Sequence, residues 1–239
     1  MRAASTGGSR GRACWADAKP RRAARGRGAG KILPLIQYRR TMSSSPVFPP
    51  DAVIADTVRW LERAVIGLNL CPFAKGVHTK GQIHYVVSEA TDARGLLEDL
   101  QRELEALAEI SAEKRDTTLL MAPQCLEDFL DFNDFLELAD ELIDAMDLGG
   151  ILQVASFHPQ FQFDGTEVDD VTNCTNRAPY PTLHLLREDS IDRAVEVFPE
   201  AESIYERNMQ VLEELGAEGW AKLDVGPRCP IASAQGQAS

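Results

Sequence analysis

The sequence lacks most of the features that would assign it quickly. No apolar run approaches the roughly 20 residues a membrane helix needs, so no membrane partner is expected. Its five cysteines stand at 14, 71, 125, 174 and 229, with no CxxC pair and no zinc-finger spacing. Reduced thiols are therefore expected, with no disulfide framework. There is no glycine-rich phosphate loop, no dinucleotide fingerprint and no serine-centred elbow. Kinases, NAD enzymes and α/β-hydrolases are disfavoured accordingly, and no cofactor is named by any motif. Paired histidines are missing too: HxH, HxxxH and HExxH do not occur. His158, Asp169, Asp170 and His184, with Cys71 added, would have to converge from separate segments to hold an ion, so no metal is expected.

Basic charge is scarce beyond the first 41 residues. That head carries 11 Lys/Arg against the single acid Asp17, leaving 14 basic and 36 acidic residues, a net of −22, for the rest. So acidic a body does not suit a phosphate backbone, and no nucleic-acid partner is expected. The head is rich in Arg, Ala, Gly and Ser without apolar periodicity, which predicts disorder. It reads either as a transit-like segment or as residues upstream of a true start at Met42, and it is set apart from the fold in both cases. The location expected is cytoplasmic, or organellar if the head is a transit peptide.

What is present is a strong alternation of helical and strand periodicities. Ile54, Val58, Leu61, Val65 and Leu68 mark a helix, which Pro72 ends by forcing Cys71 out of helical backbone. Ile83, Tyr85 and Val87 mark a strand. Leucines from 96 to 107 mark a second helix, "TTLLMAP" a second strand, and Phe129 to Met146 a third helix closed by Gly149-Gly150. "ILQVASFHP" and "TLHLLRE" are the third and fourth strands, and Ser190–Phe198 and Ala201–Leu215 the last helices. The order α-β-α-β-α-β-β-α-α predicts an α/β (α+β) fold: one two-layer sandwich with helices packed on a sheet of about four strands. The boundaries expected are a disordered head over 1–48, one domain over 49–223, and a disordered tail over 224–239. The connection between the third and fourth strands exceeds 20 residues, yet its aromatics and prolines predict an ordered loop over the sheet.

That loop contains "DDVTNCTNRAPYP", and the question is whether it is a lock or a ligand-binding wall. Arg177 and Arg187 stand out in an acidic background, because guanidinium forks match carboxylate or phosphate. Asn173 and Asn176 would orient a ligand, and Tyr180 sits between Pro179 and Pro181, which stiffen the backbone. His184 and Glu188 are four apart on the fourth strand, so the pleat turns both to one face, while Arg187 turns to the other. His158 stands at the carboxyl end of the third strand, an edge where ligands commonly bind. Cys71 could act as a nucleophile if a histidine lies near. Each has a bland counterpart: a packed cysteine, satisfied core histidines, and a loop bonded to itself.

Four segments, "GLNLCPFAK", "SFHPQFQFDG", "DDVTNCTNRAPYP" and "LHLLRED", together resemble the bacterial family known as domain of unknown function 1415. The resemblance spans about Val58 to Leu223 and leaves out the basic head and the tail. It implies the extent of the domain and brings no activity with it, so function is read from the residues. Three classes stand. The first is an enzyme on a small anionic metabolite, with His158, His184 and Cys71 catalytic and Asn173, Asn176, Arg177, Arg187, Glu188 and Tyr180 binding. The second is a noncatalytic ligand-binding module, and the third a protein-interaction domain. The sequence leaves the oligomeric state open.

Overall fold

Pro50 opens the first helix, α1 (Pro50–Trp60), where its missing N–H costs nothing, and the chain continues into wider π-helical turns over Leu61–Ile66. Gly67 follows at a point where any Cβ would overlap the Arg63 carbonyl oxygen, so only glycine fits. Asn69 then takes a left-handed conformation, φ 54°, which asparagine tolerates, and the chain turns into a short helix, α2 (Ala74–Thr79). The structure, a computed structural model, describes residues 48–197 and 203–228. The expected disorder of the head and of the end of the tail lies outside them.

Four strands form one mixed sheet: β1 (Ile83–Val87), β2 (Thr117–Met121), β3 (Leu152–Phe157) and β4 (Thr182–Arg187). Their spatial order is β1-β2-β4-β3, with β1 parallel to β2 and the other pairings antiparallel. One face is covered by α3 (Ala93–Glu109) and α4 (Phe129–Ala145), whose Asp92 and Asp128 cap the first-turn amides. Leu96, Leu100, Leu104 and Leu107 of α3 are fully buried against Leu120, Leu183 and Leu185 of the sheet. Each such leucine contributes roughly 1.5–3 kcal/mol. The second face meets α1 and its π turns through Ile83, Tyr85 and Leu119. The expected sandwich of helices on a four-stranded sheet is thus the observed fold.

Two local expectations are corrected. The fourth strand ends at Arg187, and Glu188 opens the next helix, α5 (Glu188–Val197), so His184 and Glu188 do not share a strand face. Acids favour the positive end of a helix, and Glu188 and Asp189 both lie in that first turn. The last helix, α6 (Ile204–Lys222), outruns Leu215, kinking where Gly216 takes φ 66°. At the ends, Phe48 is buried against Tyr180, with ring centroids 6.1 Å apart. Beyond Leu223 the chain stays tied to α1: Arg59 donates to the carbonyls of Asp224 (2.8 Å) and Gly226 (2.7 Å), and the Arg228 amide donates to Asp56 (2.7 Å).

Candidate functional site

On the α1 side the described residues do not cover the sheet along its whole length. A cavity of about 1030 Å³ opens there. Its floor is the residues that the pleat turns to that face: Ile83, Thr117, Leu119, Phe157, His184 and Leu186. One wall is Trp60, Leu61 and Val65 with the turn Leu70, Cys71 and Pro72 and the start of α2. Opposite stand Ile191 and Ala194 of α5 and Ile204 and Asn208 of α6. The connection between β3 and β4 adds Thr175 and Asn176 at the end where Phe157 pairs with Thr182. At the other end, about 13 Å along the strand, Lys80 and Arg193 stand with Glu113 and Asp116, so the charged rim is balanced.

Three residues named from the sequence meet on this cavity: Cys71, Asn176 and His184. His184 lies deep in the molecule yet keeps accessible surface because it faces the cavity. Its removal from bulk water pushes the imidazole down to about 4, so the ring is neutral at neutral pH. It has the Phe157 ring 6.1 Å away. Cys71 is half-buried, whereas Cys125 and Cys174 are buried and their thiols are pushed up by desolvation.

The other named residues lie elsewhere, most of them bonded to the protein's own backbone. His158 is fully buried on the opposite face, with its ring 5.0 Å from Phe132 and 5.4 Å from Phe129. Its Nδ1 accepts from the Gln160 amide at 3.0 Å, so Nε2 carries the proton donated to the Leu126 carbonyl at 3.1 Å. Asn173 accepts from the Phe163 amide and the Thr166 hydroxyl, both at 2.9 Å, and donates to the Glu167 carbonyl at 2.8 Å. Arg177 donates to the carbonyls of Phe161 (3.1 Å) and Val168 (2.6 Å). Arg187 donates to the carbonyls of Leu107 (2.6 Å), Ile110 (2.5 Å) and Arg115 (3.1 Å). It closes the C-terminal end of α3, where a cation is favoured.

Tyr180 is buried and donates to Asp56 at 2.8 Å. Burial alone would raise the Asp56 carboxyl. The hydrogen bonds from the Arg228 amide, Arg59 and Tyr180, with the Arg59 charge, hold it below its ordinary range instead. "DDVTNCTNRAPYP" is therefore mostly a lock, and only Thr175 and Asn176 turn to the cavity.

Residues 52–222 match the family described as protein of unknown function (DUF1415). The chain belongs to that family. No curated protein and no solved structure matches it. The segments that carried the resemblance divide between two tasks in this DUF1415 protein. "GLNLCPFAK" builds a cavity wall, and "SFHPQFQFDG" with most of "TNCTNRAPYP" builds the loop that closes one end. Asn208 escaped the sequence reading. Its signal was the stripe Ile204, Asn208, Leu212, a polar residue at a core position of a four-residue repeat, with all three buried.

Proposed function

We propose that the protein binds a small molecule in the cavity on the α1 side of its sheet, with Cys71 and His184 placed to act on it. The observation that carries this reading is the cavity itself. Protein interiors are close-packed, and voids larger than a water molecule are few. A space of about 1030 Å³ over a sheet face, with mostly apolar walls, has the size and lining of ligand sites. The ligand's body is apolar, matching Trp60, Leu61, Val65 and Leu119. In the enzymatic form of this reading Cys71 and His184 are two side chains on the cavity wall with reactive atoms. A purely binding role would use the same walls.

An anionic ligand was the expectation drawn from Arg177 and Arg187. Their forks end on backbone carbonyls, and the two cations at the cavity rim are matched by two acids. The reading therefore rests on shape and apolar lining and not on a positive pocket. A thermal-shift screen of small metabolites tests it: a ligand at 100 times its Kd should add about 2.7 kcal/mol of stability. The same ligand should slow iodoacetamide labelling of Cys71. If stabilising compounds leave Cys71 labelling unchanged, they bind elsewhere and the assignment to this cavity fails.

A further inference from the structure

Asn176 and Asn208 are the most buried polar side chains on the cavity wall, 3% and 2% exposed. In each, the amide orientation is set by a backbone carbonyl. Asn176 Nδ2 donates to the Ser156 carbonyl at 3.3 Å, and Asn208 Nδ2 donates to the Leu70 carbonyl at 2.9 Å. Flipping either amide would set oxygen against oxygen, so the nitrogen and oxygen positions are determined by chemistry. The consequence is that both Oδ1 atoms are buried acceptors with no hydrogen-bond partner among the described residues. They show almost no surface to water, so a donor reaches them only as the wall adjusts around an occupant. A buried acceptor left unpaired is costly, and two around one cavity are unusual in a folded protein.

We infer that the cavity's ligand carries a hydrogen-bond-donating head, a primary amide, an amine or a hydroxyl, which Asn176 and Asn208 receive, with an apolar body lying over the sheet. This deepens the small-molecule reading above and rests on it. Two carboxamide oxygens repel a carboxylate or phosphate head and attract N–H and O–H groups. The rest of the cavity, Leu61, Val65, Leu119 and Phe157, holds hydrocarbon. The head would then lie beside Cys71 and Leu70, because Asn208 is bonded to the Leu70 carbonyl. The discrimination follows the rule that a site built with polar groups rejects an analogue that leaves them unpaired.

Four molecules with one tail separate the possibilities: octanamide, octylammonium, octanoate and methyl octanoate, measured by calorimetry and thermal shift on the full chain. Octanamide and octylammonium are expected to bind at least tenfold tighter than octanoate and methyl octanoate. That preference should collapse in Asn208→Leu and, independently, in Asn176→Leu, with binding of the tail retained. Equal binding of all four heads overturns the donor-head inference and leaves the cavity reading intact. Octanoate binding tightest overturns it in favour of an anion site. No binding by any of the four overturns the cavity reading, and the inference falls with it. The wild-type ranking decides the matter even if a variant does not fold.

Discussion

Replacing Arg177 with alanine separates the two meanings of the β3–β4 loop. In the structure its guanidinium bridges the loop's two limbs, donating to the Phe161 carbonyl at 3.1 Å and to the Val168 carbonyl at 2.6 Å. Phe161 is 1% exposed, so its carbonyl would be left in the interior without that donor, whereas Val168 is 68% exposed and water can replace the second bond. Only the first bond therefore counts in full. A charged donor to a buried carbonyl is worth about 1.5–3 kcal/mol. For a folded unit of this size, about 2–4 °C per kcal/mol applies, so Arg177→Ala should lower Tm by about 3–12 °C in the absence of any ligand. Urea unfolding at neutral pH should show the same loss at constant m-value. Binding in the cavity should survive once the variant is saturated with ligand. A variant that melts within 1 °C of wild type yet loses affinity for a carboxylate or phosphate would refute this reasoning and restore the arginine as an anion-binding residue.

Three further outcomes are expected. Iodoacetamide near neutral pH should label Cys71 well before Cys125 and Cys174, which are buried with their thiols pushed up; equal slow labelling of all three would return Cys71 to packing. His158 and His184 are each pushed down to about 4 from an ordinary 6.5, chiefly by desolvation, so the unfolded chain binds their protons first. The stability they contribute is complete above pH 6.5 and is lost as pH falls towards 4, at about 1.4 kcal/mol per pH unit for each proton. His158→Gln should cut that slope by one proton near pH 5 in urea titrations, and an unchanged slope would show that His158 is not held neutral in the fold. Gly67→Ala improves helix propensity but drives a Cβ into the Arg63 carbonyl oxygen, so it should destabilise by about 1–3 kcal/mol in thermal melts; a neutral or higher Tm would mean that the π turns relax at little cost.

The fold was legible because its elements are strongly periodic. The α3 leucines at 96, 100, 104 and 107 admit one helix face, and the five wholly buried residues of β2 read as a central strand. What was not legible depended on partners distant in sequence. Phe48 looks like part of a proline-rich lead-in until Tyr180 is folded against it. Residues after Leu223 look like a fraying tail until Arg59 and Asp56, more than 160 positions earlier, bind them. Glu188 was misplaced by one secondary-structure step, since a strand and a helix meet there without a loop and the alternation pattern does not mark the junction.

The site was harder to read than the fold for a different physical reason. Composition shows how many polar groups a segment holds but not which of them the backbone consumes. The stretch from Asp169 to Tyr180 is dense in hydrogen-bonding groups, yet a long loop must satisfy its own amides and carbonyls, and Asp170, Asn173 and Arg177 are spent doing so. A polar residue set singly among apolar neighbours carries the opposite information. Asn208, between Ile204 and Leu212 on a buried helix stripe, has few local groups to bond, and its Oδ1 has no partner among the described residues. Cys71, between Leu70 and Pro72, and His184, between Leu183 and Leu185, are likewise set singly among apolar neighbours. Isolation in an apolar context, more than local polar density, marks the residues that this fold turns towards its cavity.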